Sequence, residues 1–273
     1  MKDEALALAE TQSNPTAKLN LLREYLQAFV LRLLHEKEAF TSLAFVGGTA
    51  LRFLENLPRF SEDLDFSRTE AHGYEPEKWL AAIKQELVVA GYDARVTWKA
   101  SRPVHVAWIR IADLLFPAGL SDRADHNLSI KLEIDTNPPQ GAEIRASVVT
   151  RHLTFVVRHY TLETLMAGKI RALLTRPYNK GRDWFDLLWF SSKRPRVFPN
   201  LDFLQNALDQ SQEISAMNAA DWPRMLRERL STIRVENLVS DTAAFLERTE
   251  DRLMLKEQHL RSALADFEEG RRR

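Results

Sequence analysis

The sequence has no cysteine, no excess of either charge and no long apolar run. Without cysteine there are no disulfides, no thiolate nucleophile and no Cys-type zinc site, a composition that fits a reducing compartment. Lys+Arg and Asp+Glu both number 38. No global basic field therefore recruits nucleic acid, and any such binding must come from a local patch. No stretch reaches the ~18 apolar residues of a membrane span. The opening residues MKDEALALAETQSNP carry acids and lack an apolar h-region, so no signal peptide is expected. These features lead us to expect a cytoplasmic protein without a membrane partner. The seven histidines show no HxxxH spacing, and neither a serine-hydrolase elbow nor a Walker lysine occurs. Glycine is also scarce, with nine in all, so the adjacent pair Gly47-Gly48 stands out.

What remains is 45% hydrophobic and 28% charged, as in ordinary globular proteins. The length, 273 residues, suits one large domain or two modest ones. Leu19, Leu22, Leu26, Phe29 and Leu33 recur at helical spacing and predict a helix over 16–38, started by Asn14 and Pro15. A short strand over 43–46 runs into Gly47-Gly48. Thr49 then caps a helix whose apolar face is Leu51 and Leu54, and Pro58 follows its end. Residues 62–67 alternate, with Asp63 and Asp65 on one face and Leu64 and Phe66 on the other. A helix is predicted over 76–90, stopped by Gly91. Strands are predicted over 94–99, 104–115, 128–135 and 147–157. From residue 161 the pattern is helical, over 162–175, 182–191, 200–210, 221–230 and one long helix over 241–267. The expected plan is a mixed α/β domain over 1–157 and a helical domain over 158–273, packed together because the chemistry draws on both.

The chemistry begins at FVGGTALRFLENLPRFSEDLDFS, residues 45–67. Two carboxylates at i, i+2 of a strand point the same way, about 6–7 Å apart at the base. They repel each other unless a cation, a proton or basic groups compensate. Hard divalent ions take such oxygens and leave room for phosphates, and a two-ion site stabilises both attacking and leaving oxygens. The glycines leave backbone N–H groups open before a helix, where phosphate is favoured, and Thr49 or Ser61 offers a hydroxyl. Alone, a GG pair is usually a turn and a DxD a solvated strand edge. The combination strand–GG–helix–loop–DxD, with apolar residues flanking each acid, has no such bland explanation.

This stretch resembles the polymerase-β-like nucleotidyltransferase superfamily, and more closely the AbiEii/AbiGii (MenT-like) toxin nucleotidyltransferases. The resemblance rests on Gly47-Gly48-Thr49-Ala50-Leu51-Arg52 and on Arg59-Phe60-Ser61-Glu62-Asp63-Leu64-Asp65-Phe66. It extends to Leu132-Glu133-Ile134-Asp135, to Leu162 through Lys169 and to Lys180-Gly181-Arg182-Asp183-Trp184-Phe185-Asp186-Leu187. It implies an α+β fold, a polymerase-β-like core followed by a C-terminal helical bundle. It implies that Gly47, Gly48, Thr49, Arg52 and Ser61 bind the nucleotide of an NTP substrate. Asp63 and Asp65 would hold Mg²⁺ or Mn²⁺, with Asp135 as the third acid on a neighbouring strand.

Lys169 falls on the apolar stripe of its helix, where it must snorkel out or find a partner. The resemblance makes it an essential lysine. Asp183 and Asp186 are three apart in the next helix; Asp183 also suits a first-turn acid, and the resemblance gives both to the active site. Residues 158–196 carry nine basic residues against three acidic, a net +6 in a neutral chain. Within that segment Arg171, Arg176, Lys180 and Arg182, beside Tyr178, Trp184 and Trp189, could grip RNA phosphates or form a solvated face. Arg271-Arg272-Arg273 reads as a disordered tail. The resemblance implies a toxin that modifies the 3′ end of tRNA and arrests translation, held by a cognate antitoxin. Transfer to a small-molecule or protein hydroxyl, and a non-catalytic partner-binding module with a vestigial site, are the alternatives.

Overall fold

The computed structural model describes residues 1–211 and 217–270; the terminal arginines 271–273 lie outside the described residues. The chain divides into two compact units, Met1–Pro138 with Ile144–His159, and Pro139–Glu143 with the residues from Tyr160 onward.

The first unit opens with α1 (Lys2–Glu10) and α2 (Pro15–Glu36). The Asn14 side chain caps α2 by accepting from the Thr16 and Ala17 amides at 2.8 and 3.1 Å, and Pro15 sits at the first helical position. α1 has no counterpart in the sequence pattern, because the residues it buries are Ala5 and Ala9. Then follow β1 (Leu43–Val46), α3 (Gly47–Glu55), β2 (Leu64–Arg68), α4 (Pro76–Val89), β3 (Asp93–Lys99), β4 (Val104–Ala112), β5 (Leu128–Asp135), β6 (Ile144–Val149) and β7 (Phe155–Tyr160). The seven strands form one sheet in the order β3-β4-β5-β2-β1-β7-β6. β2 runs antiparallel to β1 and parallel to β5, and β1 is parallel to β7. Alternation decides the burial. Leu64, Phe66, Ile130, Leu132, Ile134, Ala107 and Ile109 are buried, while the residues between them on β4 and β5 stay partly exposed.

The single strand expected over 147–157 is instead two strands, β6 and β7, with a tight turn between them. His152 adopts φ 61°. The turn is drawn inward by Glu24 of α2, whose Oε1 lies 2.8 Å from His152 Nε2 and 3.4 Å from Arg151 Nη1. A run rich in β-branched residues carries no sign of that distant acid.

The second unit is helical: α5 (Leu162–Thr175), α6 (Gly181–Ser192), α7 (Leu201–Asp209), α8 (Trp222–Leu230), α9 (Val235–Ala243) and α10 (Glu257–Gly270). The long helix expected over 241–267 is broken. α9 ends at Ala243, a 3₁₀ turn covers Thr249–Met254, and α10 begins at Glu257. The middle of that stretch buries Leu255 but leaves Leu253 and Met254 exposed, so no continuous helical face forms. α10, by contrast, buries Leu260, Leu264 and Phe267, the last of these with its ring 5.2 Å from that of Trp222. α6 and α9 meet at Gly181, where an added Cβ would overlap the Leu238 carbonyl.

Candidate active site

β1 and β2 are paired so that Val46 lies opposite Asp65. Gly47, the next residue, therefore turns directly over the acid. Its φ of +81° favours glycine, and a Cβ there would collide with Asp65 Oδ2 and stand 2.9 Å from the Asp65 Cβ and Cγ. At Gly48 a Cβ would meet Arg59 Nη2 at 2.9 Å and Ser61 Oγ at 3.0 Å. Both glycines thus let the N-terminus of α3 approach a carboxylate, a hydroxyl and a guanidinium. A helix N-terminus presents its first backbone N–H groups, and here Arg59 and Ser61 lie beside them. Arg59 is almost fully buried, and its Nη1 donates to the Phe60 carbonyl at 2.9 Å.

The loop into β2 is pinned from two sides. Gln27 of α2, itself buried, donates from Nε2 to the Ser61 and Glu62 carbonyls at 3.1 and 2.9 Å. The Thr49 hydroxyl donates to the Asp63 carbonyl. Thr49 therefore does not cap α3, which starts two residues earlier at Gly47. It is fully buried and engaged with the loop, so it positions Asp63 and offers a ligand no hydroxyl.

Two further expectations change. Arg52, expected at the nucleotide, is buried and ion-paired with Glu24; it donates to the Leu57 carbonyl at 2.9 Å and lies over the Phe60 ring at 4.6 Å. It ties α3 to α2. Asp135, expected as the third acid, is displaced by the strand register. β2 and β5 pair Asp65 with Glu133, and Asp135 with Ser67. Asp135 is thus two residues along the strand, about 6–7 Å away, and its Oδ1 accepts from the Asn137 amide at 2.9 Å. Glu133 is the acid brought beside Asp65.

Lys131, 2.7 Å from Glu133, supplies the compensating charge. Burial pulls the Lys131 pKa down, but the hydrogen bond and charge of Glu133, with the charges of Asp63 and Asp65, outweigh it and leave the pKa raised. Among the described residues no three His, Asp or Glu side chains form a closed metal cage. Paired carboxylates on an open face suit an ion that arrives with phosphate ligands, as Mg²⁺ does, rather than a resident structural ion.

In the second unit, Lys169 of α5 points between two acids of α6. Its Nζ is 2.9 Å from Asp183 Oδ1 and 2.8 Å from Asp186 Oδ2. Asp186 is fully buried, and Asp183 is also paired with Arg176. The off-pattern lysine has thus found its partners at the i, i+3 acids. Gly181 N donates to Asp241 Oδ2 at 2.7 Å, so the N-terminus of α6 is held from α9.

The basic segment is not one uniform face. Arg182, expected at RNA, is buried with its guanidinium 3.9 Å from the Phe245 ring centre; the sequence distance to Phe245 hides this. Arg176 is occupied by Asp183. Arg171 is partly exposed. Lys180 is partly buried; burial and Arg182 lower its pKa, Asp183 opposes them, and Arg176 and Lys169 add to the lowering. No helix among the described residues is long and apolar enough to cross a membrane.

Comparison with known proteins gives the same outline. The family model described as "Nucleotidyl transferase AbiEii toxin, Type IV TA system" matches residues 29–272. Two solved Helicobacter pylori structures are similar in fold. JHP933 is 20% identical, with a TM-score of 0.51 over 89% of this chain and 94% of its own. A protein described as a "putative nucleotidyltransferase" is 21% identical, with a TM-score of 0.52 over 88% of this chain and 95% of its own. None of the curated proteins matches.

Proposed function

The chain belongs to the AbiEii family of nucleotidyltransferase toxins of type IV toxin–antitoxin systems, and from that premise we propose that it transfers a nucleotide from an NTP to the 3′ end of tRNA. The observation that carries the proposal is the contact of Gly47 with Asp65. There the turn we assign to phosphate meets one acid of the proposed metal pair, with no room for a Cβ between the Gly47 backbone and Asp65.

In this reading the triphosphate rests on the Gly47–Gly48 amides, with Ser61 and Arg59 beside it. Asp63 and Asp65 would hold Mg²⁺ or Mn²⁺ arriving with the nucleotide, and the ion would supply charge neutralisation. An acceptor hydroxyl attacks the α-phosphorus, the α–β bond breaks and pyrophosphate leaves; the hydroxyl proton passes to a carboxylate of the acid face. Glu133 and Lys131 set the local charge. Lys169, held by Asp183 and Asp186, is the essential lysine we assign to the helical unit. Positioning and electrostatics account for most of the rate in such a transfer. Lys180 and Arg171 remain the candidates for RNA phosphates. The cellular outcome would be blocked aminoacylation and arrested translation, relieved by the antitoxin the family implies.

The test is incubation of the protein with total tRNA, Mg²⁺ and each α-labelled NTP in turn, beside Asp63→Ala. Label on RNA with the wild type alone is the expected result. Label on a small molecule or a protein instead would replace the tRNA reading, and full transfer by Asp63→Ala would refute the role of the acid pair.

A further inference from the structure

The first unit contains a cavity of about 630 Å³ that reaches Asp63. Its walls come from three places: Thr16, Leu19 and Arg23 of α2; Trp108 and Lys131 of β4 and β5; and Leu115, Leu120 and Asn127 of the segment between those strands. None of these residues takes part in the nucleotide site described above except Lys131. The size is that of pockets that hold a nucleoside-sized ligand.

The strand order fixes the side of the acids on which this cavity lies. The glycine turn follows β1, which flanks β2 on one side; β5 and β4 flank it on the other. β4 and β5 pair Trp108 with Lys131, one alternation step along the strand from Glu133, which lies opposite Asp65. The triphosphate cradle and the cavity are therefore on opposite sides of the Asp63–Asp65 strand. That arrangement fits an in-line displacement, in which the attacking oxygen enters opposite the departing pyrophosphate.

Resting on the tRNA reading, we propose that this cavity is the acceptor subsite and that it holds the terminal nucleoside of the RNA with its base against Trp108. Aromatic stacking is how unpaired bases are held. Two cations already lie over the indole, Arg110 at 5.5 Å and Lys131 at 5.9 Å from the ring centre, and their charge favours a phosphate-bearing ligand there. Arg23 lies on the opposite wall, 3.8 Å from Glu62, where it meets the phosphate preceding the terminal nucleoside. Asn127 and Ser129 offer hydrogen bonds to a base edge, and the leucines exclude water from its faces. The terminal ribose is then left at Asp63, where its hydroxyl reacts.

The test is the affinity of a 5′-fluorescein ribotrinucleotide CCA, measured by anisotropy without NTP, together with the affinity for NTP. Trp108→Ala should weaken trinucleotide binding by about tenfold or more, and Trp108→Phe should stay within about threefold of wild type. Thr16→Glu tests the opposite wall. An acid in the first turn of α2 favours the helix, so the fold tolerates it, and its charge at the cavity should weaken the RNA fragment several-fold. NTP affinity should be unchanged in all three. Unchanged trinucleotide binding in both Trp108→Ala and Thr16→Glu would overturn the subsite even if the wild type labels tRNA. A fall in NTP affinity instead would give the cavity to the donor's base. Failure of the wild type both to label tRNA and to bind the trinucleotide would remove the tRNA reading and the subsite together.

Discussion

A single methyl group at position 47 should cost little stability and most of the activity. Gly47→Ala places an L-residue at φ +81°, a left-handed conformation that costs about 1–2 kcal/mol. In a chain of this size each kcal/mol lowers the melting temperature by about 2–4 °C, so a drop of roughly 2–8 °C is expected. The larger effect is local. The new Cβ would meet three atoms of Asp65, and two of them, Cβ and Cγ at 2.9 Å, do not move aside when the carboxylate alone rotates. Carbon contacts relax to about 3.5 Å, so the whole side chain must shift by about 0.6 Å or more. A misplacement approaching 1 Å at reacting groups costs about a hundredfold. Gly48→Ala is the internal comparison. Its φ is not left-handed, and the atoms it meets are the side-chain ends of Arg59 and Ser61, so its loss should be about tenfold or less. Initial rates of label transfer and thermal melts of both variants provide the readout. The reasoning is refuted if Gly47→Ala transfers within threefold of wild type, or if Gly48→Ala is the more damaged enzyme.

Three other outcomes follow from the same geometry. Lys169→Met leaves the buried Asp186 without its cation, and denaturant titration should show a loss of about 3 kcal/mol; adding Asp186→Asn should recover part of it, whereas a further additive loss would deny the coupling. Glu24 has its pKa lowered to about 2 from 4.5: burial raises it, but the His152 hydrogen bond and the Arg52 and Arg151 interactions prevail. The stability this contributes is present above pH ~4.5 and is lost as pH falls toward ~2, worth about 3 kcal/mol in all; urea midpoints at pH 6 and pH 3 should differ less in Glu24→Gln than in wild type. Chelation by EDTA should stop transfer and leave the melting temperature within about 1 °C, because an ion that arrives with phosphate adds little to the free fold.

The local features of the candidate site that lie within one continuous stretch were legible in the sequence. Gly47-Gly48, the period-2 acids and the off-pattern Lys169 each break or mark a local rhythm, and the structure puts the first two in contact and gives the third its acids. What depends on distant partners was not legible. Arg52 looks like a ligand contact until Glu24 of another helix is found against it. Arg182 looks like part of a basic face until Phe245 is found under it. Asp135 and Glu133 have the same alternation, and only the β2–β5 register distinguishes them. Arg59 belongs to the quoted motif, yet nothing local says that its guanidinium turns back to Gly48. The long C-terminal helix failed for a related reason: sparse leucines at wide spacing leave no continuous face, and helices in folded proteins are stabilised mainly by such faces.

The two hydrogen bonds from Gln27 to the Ser61 and Glu62 carbonyls bear on where this enzyme can be cut. The family match begins at residue 29, so Gln27, like Glu24, lies upstream of it. A recombinant fragment trimmed to the matched span would retain Asp63, Asp65, Glu133, both glycines and Lys169, yet release the backbone that aims Ser61 and Asp63. Inactivity of such a fragment would report a lost scaffold rather than a lost reagent, and the boundary for expression, swapping or inhibitor screening belongs before α2.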